Sequence, residues 1–129
     1  MEVQPKPATA RGPADFFTGD VWIDSIISPQ GSSQVSVAAV HFTPGARTAW
    51  HSHQGGQNLY VTEGRGLVQS RGQAVVELNP GHVHFTPDGE DHWHGVAPDH
   101  FMTHLSITEG PPTWGEHVTD VEYHGGAAH

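Results

Sequence analysis

The sequence predicts an all-β fold, an antiparallel sandwich or barrel, with the jelly roll among the options. Runs of β-branched and aromatic residues are short, and turn residues separate them at close intervals. The chain of 129 residues contains 16 Gly and 10 Pro, which supply these turns. No long helical period intervenes between the runs. The apolar residues are therefore expected to be buried between sheets.

Eight runs are candidate strands because each is β-branched or aromatic in character and ends at turn residues. Turns such as Asn79-Pro80-Gly81 and Pro87-Asp88-Gly89 combine the preset φ of proline with the positive φ that glycine tolerates. About eight closely spaced strands are typical of the jelly roll and related barrels. The predicted strands span 21–27, 34–43, 58–62, 66–70, 74–78, 82–86, 94–97 and 101–108.

The whole chain, 1–129, has the length of one domain, with the β-barrel over 16–109. Residues 1–15 are rich in Pro and Ala without periodicity and predict an N-terminal arm. Residues 110–129 form a C-terminal segment after a Pro-Pro pair. Within it, Trp114 to Tyr123 is predicted to form a short helix or arm that packs Trp114 and Val118 onto the barrel.

Composition excludes several classes of function. A formal net charge of -9 with only 5 Lys+Arg leaves no basic stripe for a nucleic acid or an anionic membrane surface. No apolar run has the length of a signal peptide or approaches the roughly 18 residues of a membrane span. Cysteine is absent, so there is no disulfide framework, and a cytoplasmic location is expected.

Histidine is unusually frequent, with 12 residues in the chain. Residues two apart on a strand point the same way, so His51 and His53 can present two imidazoles to one metal ion. The pairs His82/His84 and His92/His94 have the same spacing, and spacing alone does not select among the three pairs. More context is needed.

Alternation within the strands assigns other histidines to a polar face. His82 and His84 alternate with apolar Val83 and Phe85, which predicts that both imidazoles face away from the core. By the same reasoning His41, between Val40 and Phe42, is predicted on the outer face.

Glycines and prolines at fixed distances from the histidines form two motifs. The first, G(x)5HxH(x)3,4E(x)6G, matches Gly45, His51, His53, Gln57 and Gly64, with Gln57 in place of Glu. The second, G(x)5PxG(x)2H(x)3N, matches residues 81–92, with Val96 at the position of the final Asn. Over residues 45–96 the chain thus resembles the cupins.

The resemblance implies a double-stranded β-helix barrel of jelly-roll type, with one divalent metal ion inside the barrel. It implies His51, His53, Gln57 and His92 as the ligands. Three neutral imidazoles and an amide oxygen leave the charge of the ion uncompensated, which favours Lewis-acid chemistry at two open positions. Nitrogen-rich ligation suits Fe, Ni, Zn or Cu, and Mn is also compatible.

Further stretches resemble the small bacterial manganese-dependent hydroxynitrile lyases, which break a cyanohydrin into a carbonyl compound and hydrogen cyanide. They are GPADFFTG, FTPGARTAWHSH, HWHG, MTHLSITE and EHVTD, and they run nearly from end to end. The resemblance implies manganese as the ion and His104 as the group that relays the proton. The implied substrate pocket consists of Ala38, Val40, Phe42, His94 and Thr108, where Thr108 replaces a Gln of those lyases.

Two other functions fit the same residues. One is an iron-dependent dioxygenase, because three histidines with open positions can bind an oxygen-bearing substrate and O2. The other is a metal-dependent binding or sensor module for a small acidic metabolite or a partner protein. In each case a small molecule is the expected partner, and an apolar outer sheet face with an N-terminal arm predicts a homodimer or homotetramer.

Overall fold

The computed structural model describes residues 1–127, and the side-chain surroundings of residues 1–125. Over residues 1–127 the chain forms thirteen strands and one helix, and an all-β fold is confirmed. The elements are β1 (Ala10–Arg11), β2 (Phe17–Thr18), β3 (Val21–Ile27), β4 (Ser36–Phe42), β5 (Arg47–Thr48), β6 (His51–His53), β7 (Gln57–Gly64), β8 (Gly66–Ser70), β9 (Val76–Leu78), β10 (Val83–Thr86), β11 (His92–Gly95), β12 (Met102–Thr108), β13 (Pro112–Trp114) and α1 (Asp120–Ala127).

The strands form two antiparallel sheets that enclose a barrel. One sheet has the order β1-β3-β4-β12-β7-β10, with β12 between β4 and β7. The other has the order β13-β6-β11-β5-β2, and β8 with β9 extends it from β11. Except for β3 with β4 and β8 with β9, paired strands are not consecutive in the chain, and the topology brings residues 36–42, 57–64 and 102–108 side by side.

The main core lies between the two sheets. Val21, Phe42, Leu59, Val61 and Met102 are each at most 2% exposed and belong to one contiguous apolar cluster. These residues alternate with outward-facing ones, as antiparallel strands with one buried face require. The core adjoins the histidines, because Phe42 packs against His94 and His104.

A second apolar cluster holds the C-terminal segment. Val118 and Tyr123 pack with Trp50 and Trp93 on the outside of the second sheet. Arg47, only 5% exposed, donates from Nη2 to the carbonyl oxygen of Val118 at 3.0 Å, and its guanidinium lies 4.2 Å from the ring centroid of Tyr123. The predicted packing of the segment is confirmed, although its start, Pro112–Trp114, is a strand and its helix begins only at Asp120.

The predicted strands agree with the observed ones to within a few residues at each end. Five short strands, β1, β2, β5, β6 and β13, have no counterpart among the eight predicted runs, because strands of two or three residues show no measurable periodicity. One of them, β1, joins the arm to the barrel, with Ala10 opposite Ile23.

The predicted orientation of β10 is wrong. Val83 and Phe85 are 63% and 55% exposed, whereas His84 is half-buried. Register decides this: β10 pairs with β7 so that His84 stands opposite the fully buried Leu59, on the inner face. The prediction for His41 holds, since Val40 and Phe42 are buried and His41 lies on the outer face, bonded to Asp24.

None of the helices in residues 1–127 is both long enough and apolar enough to span a membrane.

Candidate metal centre and cavity

Two adjacent strands bring the histidines together. On β6 and β11, His51 and His92 are direct cross-strand partners, and their ring centroids are 4.4 Å apart. His53 and His94 lie two residues further along the same strands, so all four imidazoles share the inner face. His53 is half-buried, with its ring 5.3 Å from that of His51 and 6.5 Å from that of His92.

Backbone carbonyls select the tautomers of the two central imidazoles. Nδ1–H of His51 donates to the carbonyl oxygen of Ala49 at 2.9 Å, and Nδ1–H of His92 donates to that of Glu90 at 3.0 Å. Both Nε2 atoms are therefore bare lone pairs. This is the arrangement of metal-binding histidines, whose second nitrogen is held by a protein acceptor.

The amide of Gln57 completes the set of donors. Its Nε2 donates to Ser106 Oγ at 2.8 Å, which turns its oxygen toward His92. That oxygen lies 2.8 Å from Nε2 of His92, so two acceptors face each other. Two adjacent ligands of one ion with bonds of about 2.1 Å stand roughly 3 Å apart. The residues thus fit a divalent ion, which would relieve the contact between the two lone pairs.

A glycine turn sets the distance between His53 and Gln57. Gly55 and Gly56 both have positive φ, +84° and +83°, and a Cβ at Gly56 would lie 2.6 Å from the carbonyl oxygen of Thr86. A hydrogen bond of 2.7 Å from Gly55 N–H to Asp88 Oδ1 joins this turn to the turn between β10 and β11. Gly56 is therefore required for both its backbone conformation and the lack of space for a side chain, and Gly55 for its conformation alone.

Burial keeps the imidazoles neutral. It lowers the pKa of His51 to about 3, with the neighbouring His92 acting in the same direction. Burial likewise lowers the pKa values of His53 and His92. Neutral imidazoles are the metal-binding form, so the donors are ready at neutral pH without first losing a proton.

His94 and His104 form a buried pair beside these donors. Nε2 of His104 and Nδ1 of His94 share a hydrogen bond of 2.9 Å, and the ring of Phe42 packs against both. Nε2 of His94 is buried without a hydrogen-bond partner among the described residues. The ring nitrogens of His51, His92 and His94 lie within 4.8 Å of one another, so His94 faces the donor set directly.

The same pair has strongly depressed basicity. Burial lowers the pKa of His104 to about 4, and it lowers the pKa of His94 well below the usual range, with His104 and His51 adding to the effect. A proton placed on either ring is therefore readily given up.

An apolar cavity of about 150 Å³ opens onto the donor set. Polar side chains from the donor set, His94 and two hydroxyl residues form part of its wall. Apolar and aromatic side chains form the rest. The residues that line it are Phe17, Ile23, Ala38, Val40, Thr48, His51, His53, Gln57, His94, Ser106 and Trp114.

The structure distributes the predicted site residues unevenly. Ala38, Val40 and His94 line the cavity together with three of the four predicted ligands, whereas His92 is not in its lining and contacts the amide oxygen of Gln57. Phe42 and His104 are buried behind His94 and do not reach the cavity wall. Thr108 lines a separate neighbouring cavity.

Sequence reasoning missed the aromatic wall. Trp114 packs its indole 4.6 Å from the ring of His51 and stacks on Phe16 at 4.5 Å, and Phe17 tilts against the same indole. The strand that carries Trp114 pairs with β6, with Trp114 opposite His51. A tryptophan two residues after a Pro-Pro pair was the local signal, and it did not indicate which strand it would meet.

Comparisons with known proteins agree with this geometry. The cupin domain family matches residues 38–107. The chain is 50% identical over 120 residues to an (R)-mandelonitrile lyase of Granulicella tundricola, covering 90% of this chain and 92% of that protein. The chain belongs to the cupin family.

Solved cupins have the same architecture. A cupin-like protein of Thermotoga maritima superposes with a TM-score of 0.88 at 40% identity, covering 98% of this cupin and 97% of that chain. A polyketide cyclase of Streptomyces resistomycificus has a TM-score of 0.66 at 24% identity over 80% of this cupin and 75% of that chain, a likeness of fold alone. The expected cupin barrel is thus confirmed, as is the resemblance to a hydroxynitrile lyase.

Proposed function

We propose that this cupin is a metal-dependent lyase of hydroxynitrile lyase type, which reversibly cleaves a cyanohydrin to a carbonyl compound and hydrogen cyanide. The observation that carries the proposal is the buried His94, which is hydrogen-bonded to His104, lies beside the metal-ligand set and lines the same apolar cavity. The 50% identity to an (R)-mandelonitrile lyase supports the same reaction.

His51, His53, Gln57 and His92 would hold the ion, with manganese proposed and Fe, Ni or Zn as alternatives. When bound, the ion supplies Lewis acidity that acidifies a substrate hydroxyl and makes its proton easier to remove. The uncharged Gln57 matters here, because a carboxylate in its place would neutralise part of the charge that acidifies the hydroxyl.

His94 is the base that the geometry favours. We assign the tautomer in which Nδ1–H of His94 donates to Nε2 of His104, so that the bare Nε2 of His94 takes the hydroxyl proton. The C–CN bond breaks, its electron pair leaves on cyanide, and the oxygen forms the carbonyl double bond. Because the low pKa of His94 makes the protonated ring a strong acid, the proton passes readily to cyanide and gives hydrogen cyanide.

His104 then acts through His94. The sequence pointed to His104 as the relay, yet the ring that lines the cavity belongs to His94. In this assignment Nε2 of His104 accepts the hydrogen bond from Nδ1–H of His94 and thereby holds Nε2 of His94 toward the substrate. We therefore treat His104 as a positioning residue.

Release of benzaldehyde from mandelonitrile by manganese-loaded protein tests the reaction. We expect release above background, a loss of about 100-fold or more in His94→Ala, and no change in His117→Ala, which alters an exposed histidine. In His104→Ala we expect a lower kcat and a shifted pH profile. No excess release from the wild type, or full activity in His94→Ala, would refute the proposal. Oxygen uptake by iron-loaded protein would instead favour a dioxygenase.

We also propose that the cupin is a homodimer or homotetramer. On the outer face of the edge strand β10, Val83 and Phe85 are exposed beside Tyr60 of β7. Exposed aromatic and β-branched residues on a sheet edge are a surface that a second copy of the chain can cover. Light scattering should give at least twice the mass of one chain, and Phe85→Lys should lower it. A monomeric mass for the wild type would refute this proposal.

A further inference from the structure

A second cavity lies one step further along the strands that line the first. Ala38 and Ser106 are cross-strand partners in the wall of the first cavity, and Ser36 and Thr108 are the next inward-facing partners on the same two strands. Residues two apart in a strand are separated by about 6.7 Å. The second cavity therefore adjoins the first, and Thr108 in its wall is the cross-strand partner of Gln57 in the wall of the first.

The loop after β12 lines the second cavity and is attached to β6 and the turn that follows it. Pro111 accepts a hydrogen bond from Gln54 N–H at 3.2 Å, and Pro112 pairs with His53. Gly110 lies close enough to this turn that a Cβ on it would meet the carbonyl oxygen of Gln54 at 2.3 Å. The wall of the second cavity is thus fastened to the strand that carries two of the metal ligands.

The second cavity differs from the first in size and chemistry. Its volume is about 350 Å³, against about 150 Å³ for the first. Hydroxyl and amide groups and one carboxylate line it together with prolines, and its lining contains no Lys or Arg. The lining residues are Pro29, Gln34, Ser36, Thr108, Glu109, Gly110, Pro111 and Pro112.

These groups select the charge of what can bind. The hydroxyls of Ser36 and Thr108 both donate and accept hydrogen bonds. The carboxylate of Glu109 is exposed at the rim, and no ion pair involves it among the residues whose side chains the structure describes. An anionic group would meet this carboxylate with no cation to offset it, whereas an amine or a hydroxyl would find partners.

We infer that the second cavity is a compartment for the distal part of the substrate, and that it takes a hydroxyl- or amine-bearing substituent while rejecting carboxylates and phosphates. The small apolar cavity then holds only the reacting carbon and its immediate substituent. The inference rests on the proposed function in one respect: the substrate is assumed to carry a hydroxyl that binds at the proposed metal ligands.

Benzyl alcohols test the compartment, because they present the hydroxyl but cannot lose cyanide. Calorimetry on manganese-loaded protein compares benzyl alcohol with its para-aminoethoxy, para-hydroxyethoxy and para-carboxymethoxy derivatives. We expect the amine to bind about tenfold more tightly than benzyl alcohol. The hydroxyl derivative should fall between them, and the carboxylate should bind most weakly.

Variants distinguish binding in the second cavity from an effect of a bulky substitution elsewhere on the protein. Thr108→Trp fills the cavity and should reduce the advantage of the amine to about twofold or less. Glu109→Gln should remove the preference of amine over hydroxyl. Thr62→Trp places the same side chain at an exposed position of β7 and should keep the wild-type order.

Equal affinities of the derivatives, no measurable binding of any of them, or an unchanged order in Thr108→Trp would overturn the inference. Absence of cyanide release with the expected order of affinities would reject the lyase and leave the compartment in place.

Discussion

Acid should destabilise the metal-free protein because its core contains neutral histidines. His51 and His104 have pKa values lowered by burial from 6.5 to about 3 and about 4. Below pH 6.5 the unfolded chain therefore binds protons that the folded chain does not bind. Stability is highest above this pH and is lost as the pH falls toward the folded pKa values.

The magnitude follows from these two groups. On going from pH 7 to pH 5, each of His51 and His104 costs about 2 kcal/mol of unfolding free energy, so the pair costs about 4 kcal/mol. Burial lowers the pKa values of His53, His92 and His94 as well, and these residues add to the loss in the same direction. Such a loss is a large part of the roughly 5–15 kcal/mol that stabilises a typical domain.

Urea unfolding of chelator-treated protein between pH 8 and pH 5 measures the effect. His104→Leu removes one of the buried titrating groups and should shrink the loss between pH 7 and pH 5 by about 2 kcal/mol. His117→Leu, which removes an exposed imidazole, should leave the loss unchanged. A free energy of unfolding that stays constant between pH 7 and pH 5, or equal slopes for wild type and His104→Leu, would refute the reasoning.

Two further predictions concern the ligand turn. Gly56→Ala should cost more than about 2 kcal/mol of stability, because the new Cβ meets Thr86 O at 2.6 Å with φ at +83°. Gly55→Ala, with φ at +84° and open space around the Cβ, should cost only the backbone strain of about 1 kcal/mol; equal losses in thermal unfolding would contradict this. Gln57→Glu should tighten manganese binding at least about tenfold by calorimetry, and unchanged affinity would show that this side chain does not face the ion.

Much of the fold could be predicted because the signals are local. The spans of β3 and β8 match the observed strands, since alternation and flanking turn residues lie within each segment. The ligand motif is equally local: the spacing of His51 and His53 on one strand already places both imidazoles on one face. The site beyond the motif was harder to predict, because its parts come from segments far apart in the chain.

His104 illustrates the difficulty. Its strand and the residues that share its face follow from alternation, but its burial and its contact with His94 depend on how one sheet faces the other. Trp114 is a second case, because only pairing of β13 with β6 brings its ring against His51. In both cases the residue is recognisable in the sequence, whereas its contact partner depends on packing between distant segments.

By itself, the sequence determined the all-β class, the turn glycines and the cupin motifs, since each depends on spacing within short segments, and the resemblance to the cupins then implied the four candidate ligands. Only the tertiary structure decided that His84 faces inward, that His94 stands between His104 and the cavity, and that Thr108 belongs to a second cavity. The physical reason is that alternation specifies two faces of a strand without specifying which one is buried. Register and the packing of the two sheets make that choice.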